Sequence, residues 1–394
     1  MTAMSPYSFT ARKARSLAPH GLSLVELTVG LAIGLVLTLG LFTLISNQSL
    51  AFKVQNDFAR MQENGATALR YIGDSVRIAG FYGYTVEPGN VNTTIGGIAM
   101  RAGPTDDCGS AANQPTTNWA LDIGKPVYGF TGVRAAAVNA RLPCILAANF
   151  LDVPPNGQQL LITRSAGGYR VPDAAPVGDL TADLAAQPNY RTTVYLQGDP
   201  NAGLLFYGRD FAALKAAAST RVLPNGNDID IFEYRAHVYY LRPCSRPAGG
   251  GANCTGADDD AGQPIPTLVR QELIGSATGP RMTEVPLVEG VERIDLRFGI
   301  DSTNDGVADN FTATPVSAAD WANVVAVKVS VLVRSPTLSA QHDDSVKSYD
   351  LDGDGKPDYQ CTDFLATNPN ACQYKRKVFS QTFQLRNIAQ RRGA

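Results

Sequence analysis

The stretch GLSLVELTVGLAIGLVLTLGLFTLI, residues 21–45, decides the architecture. From Leu27 to Ile45 it holds 19 residues without a charge, and extending back to Leu22 adds a single acid, Glu26. At about 1.5 Å per residue such a helix spans about 29 Å, the hydrocarbon thickness of a bilayer. Bulk composition conceals the segment. The 394 residues are 44% hydrophobic and 18% charged, with a net charge of −2 and a mean hydropathy of −0.09, values typical of a soluble protein. A charge so near balance argues against a nucleic-acid binder, which carries a strong basic excess. The length allows two or three domains, or one elongated body with long insertions.

In front of the span lies the leader MTAMSPYSFTARKARSLAPHG, residues 1–21, with Arg12, Lys13 and Arg15 and no acid. Positive charge before a first span keeps that end in the cytoplasm and sends the rest outward. A secretory signal peptide is the alternative, but its apolar region is shorter and ends at a small-residue cleavage site. Here the chain continues SNQSLAFK after Ile45, so cleavage after the run is disfavoured. The other place to cut is before the run. A basic leader ending in Gly21, Glu26 fifth in the chain that follows, and a long apolar helix together resemble the prepilin peptidase site of type IV pilins and type II secretion pseudopilins. Leu22 departs from the Phe or Met usual in that family. The resemblance implies cleavage between Gly21 and Leu22, methylation of the new amine, and pairing of Glu26 with the amino terminus of a neighbouring subunit during fibre assembly. Losing three basic residues and no acid would take the net charge from −2 to −5.

A membrane carboxylate costs of order 2.5 to 3.5 kcal/mol even on lenient insertion scales, so Glu26 needs a partner. A new amine on Leu22 would lie one turn before it, where the helix dipole also favours an anion. Snorkelling to the interface is the plainer alternative. Gly30, Gly34 and Gly40 each weaken the helix by roughly 1 kcal/mol relative to Ala. They allow close helix packing, or simply follow membrane composition.

Beyond the span, Leu50, Val54, Phe58, Met61, Leu69, Ile72, Val76 and Ala79 recur in steps of three and four, with Gly65 filling the missing place. The pattern predicts one helix from Leu22 to about Ile78, roughly 85 Å long. A separate amphipathic helix over 47–80, after a loop, is the alternative. Gly80 and Gly83 suit a helix stop. Arg60, Gln62–Asn64, Ala68–Leu69 and Arg77–Gly83 resemble the helix end of the PilW group of minor pilins. After Gly83 the periodicity alternates, predicting strands at 159–164, 191–196, 229–241, 268–273, 291–300, 324–334 and 378–385. Gly, Pro, Asn and Asp clusters separate them at 86–118, 165–190, 243–267 and 335–377. The expectation is an α+β protein, type IV pilin-like, with a long N-terminal helix and an antiparallel β-sheet body stapled by disulfides. Its parts would be a leader (1–21), a membrane and fibre-core helix (22–46), its amphipathic continuation (47–80) and a β-rich body (81–394). Tyr239–Arg242, Leu268–Arg270, Val288–Glu292, Arg297–Asp301, Trp321, Val324–Ser335 and Leu385–Asn387 also resemble PilW-like proteins; the long insertions do not.

Six cysteines follow the span: Cys108, Cys144, Cys244, Cys254, Cys361 and Cys372. An even number in an exported domain favours disulfides. Sequential pairing, 108 with 144, 244 with 254 and 361 with 372, brackets one Pro/Gly-rich loop per pair and stabilises by roughly 2 to 4 kcal/mol each. Zinc is the rival, with no CxxC and only His237 and His342 beyond the leader.

Two acidic loops raise the question of calcium. Asp301, Thr303, Asp305 and Asp309, with Gly306, and Asp350, Asp352, Asp354 and Asp358, with Gly355, place oxygens at positions 1, 3, 5 and 9 and Gly at 6 of a calcium loop. Position 12, where a bidentate Glu belongs, is Thr312 or Cys361. Asp-Gly turns explain the same residues without metal. No cofactor is required by the sequence. There is no phosphate loop, HExxH or GxSxG, and the expectation is a non-catalytic protein.

The resemblance implies a structural minor pilin acting in type IV pilus assembly or initiation at the tip, supporting adhesion, twitching motility or DNA uptake. Its implied partners are the prepilin peptidase, the major pilin, minor pilins of the PilV, PilX and FimU types, and a PilY-type tip adhesin. It would start as a single-pass inner-membrane protein and end in the periplasm and pilus. A minor pseudopilin of type II secretion, similar to GspJ, is the alternative. A signal-anchored periplasmic binding protein or enzyme, with Gly21-Leu22 uncut, is a third reading.

Overall fold

In the computed structural model the apolar run and the amphipathic stripe form one helix, α1, Leu24–Ile78. No loop interrupts it near residue 47. The structure describes residues 21, 23–84, 91–92, 94–95, 98–99, 123–154, 156–171, 179–277, 280–366 and 368–392. Contacts divide the chain into two units that meet at Asn56 and Asp57, inside α1. In the first unit the helix is long and apolar enough to cross a membrane.

In the second unit the buried face of α1 starts at Asp57 and runs through Met61, Gly65, Ala68, Leu69, Ile72, Gly73 and Val76. Leu50 and Phe58, expected on this stripe, are exposed. A polar contact takes the first place: Asp57 is buried, accepting from Thr337 Oγ1 at 3.1 Å and facing Lys375 Nζ at 3.4 Å. Gly80 and Gly83 end the helix with φ of +77° and +66°, a conformation that costs glycine little.

The remaining elements are β1 (Val91–Asn92), β2 (Thr94–Ile95), β3 (Ile98–Ala99), β4 (Val127–Val133), α2 (Ala135–Arg141), β5 (Gln158–Val171), α3 (Thr181–Ala185), β6 (Val194–Gly198), β7 (Gly203–Tyr207), α4 (Phe211–Ala216), β8 (Ile231–Arg242), β9 (Thr267–Gly275), β10 (Pro280–Glu289), β11 (Val291–Ile300), β12 (Asn310–Thr312), α5 (Ala318–Ala322), β13 (Val324–Arg334), β14 (Arg376–Gln384) and α6 (Arg386–Arg392). One sheet has the order β1-β7-β6-β8-β5-β4, with β9 on β8 and β10 on β9; a second has the order β12-β11-β13-β14; β2 and β3 form a third. Pairing is antiparallel except between β1 and β7, a two-residue parallel pair that departs from the expected all-antiparallel body.

Each predicted strand falls on an observed one, and β11 and β13 have the predicted bounds. Seven strands have no predicted counterpart: β1, β2, β3 and β12 are only two or three residues long, and β4, β7 and β10 were not legible in the sequence. β10 carries Pro280 and Pro286, which argue against a strand unless it lies at an edge, where β10 does lie. β4 is broken by two glycines, and β7 is a short run buried at every position, without alternation. β5 also runs on to Val171 through residues expected to be a loop, because pairing with β8 continues across a register shift between Ala166 and Arg170.

Alternation along the strands puts side chains on opposite faces, and the two faces feed different cores. Leu161, Tyr239 and Leu241 join Met61, Ile72 and Val76 of α1 with Leu296, Phe298, Val327 and Val329 of the second sheet. Leu160, Ile162 and Tyr240 pack on the other side with Phe130, Leu196 and Leu205. At roughly 1.5 to 3 kcal/mol for each fully buried large side chain, these two cores supply most of the stabilisation. Beneath α1, Gly65 lies against the Phe379 ring and Gly73 against the Phe383 ring, so closely that a methyl group at either position would overlap the aromatic carbons.

Where α1 meets β8 of the first sheet, His237 is buried, with Nδ1 3.2 Å from Ser75 Oγ, itself 2.5 Å from the Tyr239 hydroxyl. Burial, helped by the charges of Arg270 and Arg235, pushes its pKa down to about 3. The unfolded chain therefore binds a proton near pH 6.5 that the folded chain refuses, and stability rises with pH between those values. Unfolding of the detergent-solubilised full chain should show stability falling by up to about 1.4 kcal/mol per pH unit as pH drops below about 6.5. In His237→Gln that part of the slope should vanish; equal slopes in the two proteins would contradict the burial argument.

Candidate functional site

The residues with an expected assembly role lie at the start of α1. Leu22 and the leader residues 1–20 fall outside the described residues; Gly21 is exposed. Glu26 Oε2 accepts from the Ser23 amide at 3.0 Å while Ser23 Oγ accepts from the Glu26 amide at 3.1 Å. This reciprocal pair is a capping box. It gives Glu26 a local partner that the sequence reading missed, although Ser-x-x-Glu before an apolar run was the signal for it. Further along, the hydroxyls of Thr28, Thr38 and Thr43 donate to the carbonyls of Val25, Gly34 and Gly40 at 2.9, 2.5 and 2.8 Å. Their polar groups are thereby satisfied within the helix, as a lipid environment demands.

Cys244 is bonded to Cys254 and Cys361 to Cys372. The first bridge removes the thiolates that zinc would need from the one described group containing cysteine, Cys244, Cys254 and Asp259. Cys108 lies outside the described residues; Cys144 is disulfide-bonded.

The acidic loops differ. In the first, Asp301 is buried and accepts from the amides of Asn304 at 2.6 Å and Gly306 at 3.0 Å and from Arg392 Nε at 2.8 Å. Burial works to raise its pKa, but the Arg392 hydrogen bond and these amides outweigh it and hold the carboxyl down at about 2. Asp309 accepts from the Ser302 amide and hydroxyl, both at 2.6 Å, and Thr303 Oγ1 lies 3.3 Å from Asp309 Oδ1. Asp305 caps the Val307 amide at 2.9 Å. These carboxylates shape a turn and latch α6.

In the second loop, one oxygen each from Asp350, Asp352 and Asp358 lie within 4.8 Å of one another. Asp350 accepts from the Gly353 and Gly355 amides at 2.5 and 2.8 Å, which lower its pKa, and Asp358 accepts from Leu351 at 2.8 Å. Asp354 stands apart, accepting from the Lys356 amide at 2.8 Å. Two cations from the sheet reach this loop: Arg297 pairs with the Asp352 carboxylate, and Lys328 Nζ donates to the Asp352 carbonyl at 2.7 Å. Cys361, at position 12, is spent in its disulfide.

Ser75, His237 and Glu272 have the residue types of a hydrolase triad. Glu272 Oε2 is 4.0 Å from His237 Nε2, and Ser75 is buried under α1 with its hydroxyl against Tyr239. This is a packing cluster, with no room for a substrate carbonyl at the serine.

No curated protein matches the chain. A solved type IV-like pilin from Thermus thermophilus is 16% identical over 40% of this chain and 70% of that one, with a TM-score of 0.19, a likeness too slight to transfer fold or function. The family model described as PilW, Type IV Pilus-assembly protein W, matches residues 254–387, so the likeness to that family runs from the end of the first disulfide loop through β14 into α6.

Proposed function

We propose that the protein is a non-catalytic minor pilin, cut after Gly21 and methylated on Leu22 by a prepilin peptidase, that takes part in type IV pilus initiation within a tip complex. The observation that carries this reading is the PilW-like stretch 254–387 on the same chain as an N-terminal helix apolar enough to cross a membrane. Glu26 would leave its capping role, or share it, to receive the amine of a neighbouring subunit. Partners of the PilV, PilX and FimU types and a PilY-type adhesin follow from the same reading, as do passage from the inner membrane to the pilus and support of adhesion, motility or DNA uptake. Intact-mass measurement of the membrane-extracted protein tests it. The expected species begins at methylated Leu22; a retained leader in cells with a working prepilin peptidase would overturn the proposal.

We also propose weak calcium binding at Asp350, Asp352 and Asp358. Asp301, Thr303, Asp305 and Asp309 are left out because Arg392 and the loop's own amides already occupy that carboxylate set. An ion at the second loop would have to displace Arg297 from Asp352, which limits affinity to the 10⁻⁴ to 10⁻³ M range of extracellular modules. Calorimetry of the full chain should detect binding near millimolar calcium and lose it in Asp350→Asn; no heat from the wild-type chain at that concentration would exclude the site.

A further inference from the structure

We infer that the outer edge of β14 is a docking site for an extended, acidic segment of another protein, which adds a strand to the second sheet. The argument does not depend on the pilus reading.

An edge strand exposes alternate backbone N–H and C=O groups, and native proteins blunt such edges with shortness, proline or bulges. Among the described residues, every other edge shows one of these devices. β1 and β12 have two and three residues. β4 shifts register between Phe130 and Val133. β10 has two prolines and a shift between Pro286 and Val288. β14 has none of them: it runs nine residues, Arg376–Gln384, without proline, and pairs with β13 in unbroken register from Ala326↔Gln384 to Arg334↔Arg376. Nothing among the described residues pairs with its far side.

Its side chains leave the edge open. Phe383 is buried under α1, and Ser380 pairs inward with Ser330 at 2.8 Å. Lysine is a common edge guard, but Lys377 Nζ lies over the Phe379 ring, 5.3 Å from its centroid, on the helix side. Residues 380–382 are exposed and uncharged. A peptide strand laid here would gain main-chain hydrogen bonds in the manner of β-augmentation.

Charge fixes the chemistry of the occupant. After Asp363 the chain has Lys375, Arg376, Lys377, Arg386, Arg391 and Arg392 and no acid, against a net charge of −2 overall. Lys375, Arg376 and Arg392 are paired with Asp57, Glu292 and Asp301. Lys377 and Arg386 are exposed at the two ends of the strand. An incoming strand with Asp or Glu near its ends meets both, while a basic one is repelled.

The test uses the full chain in its host membrane with a photo-reactive phenylalanine analogue at Gln381 or Gln384, and mass spectrometry of the cross-linked peptides. The expected result is that both positions label one short segment of a single protein, that this segment contains Asp or Glu, and that Lys377→Glu with Arg386→Glu lowers the yield about fivefold, the size of two exposed ion pairs. Lys377→Gln with Arg386→Gln serves if the reversed charges disturb folding, which an unchanged unfolding midpoint checks. Absence of cross-links, labelling of lipid, nucleic acid or a second copy of this chain, a segment without acids, or a yield indifferent to charge would each overturn the proposal. So would hydrogen exchange as slow at every β14 amide as in β13, in the isolated chain, because the edge would then already be paired.

Discussion

The fit of α1 against β14 is the contact on which the rest of the body depends. Glycine at 65 and 73 removes the side chains that would otherwise hold the helix off the sheet, and Phe379 and Phe383 fill the space. The two glycines cost the helix roughly 1 kcal/mol each in propensity, a loss offset by burying aromatic rings. Helix and strand come from opposite ends of the chain, so the contact forms only when the whole second sheet is in place. Asp57 with Lys375 and Thr337 marks where the helix begins to be buried. The apolar run and the buried face that packs on the sheets thus lie on one unbroken helix.

The other face of the second sheet is held electrostatically. Arg334 and Arg376 sit directly opposite on β13 and β14, a pairing that repels. Glu292 resolves it, accepting from Arg376 Nε at 2.6 Å and lying 3.5 Å from Arg334 NH1, while Asp344 takes Arg376 from the loop side at 3.1 Å. Burial alone would lower the Arg376 pKa, but the Glu292 charge overrides it and the guanidinium stays protonated. Arg297 on Asp352 and Lys328 on the same residue's carbonyl fasten the loop between β13 and β14 to this face of the sheet at a further point. Removing one member of the buried group would cost about 3 to 5 kcal/mol by stranding its partner. The acidic residues that suggest calcium in sequence thus have a docking role of their own.

Legibility followed the strength of local patterns. The membrane span needs only length and apolarity, and β11 announces itself by alternation of apolar and charged residues and β13 by a Val-rich run, neither interrupted by proline. The PilW-like stretch lies in this same region, where local pattern and long-range packing agree. What the sequence hides is decided at long range. β10 looks like a loop because its prolines are tolerated only at an edge. Phe58 looks like core and Asp57 like surface until Lys375 and Thr337 arrive from the far end of the chain. The capping box of Ser23 and Glu26, by contrast, is local and stands in the sequence as Ser-x-x-Glu before an apolar run.

The close approach of helix and strand is most directly tested by urea unfolding of the detergent-solubilised full chain carrying Gly73→Val. Valine is the better helix former, so a helix free of the sheet would be unchanged or slightly stabilised. The account predicts a loss of about 2 kcal/mol from overpacking against Phe383, largely recovered when Phe383→Leu is combined with it. An unchanged or raised midpoint in Gly73→Val would mean that α1 is not seated on β14 and would contradict the account.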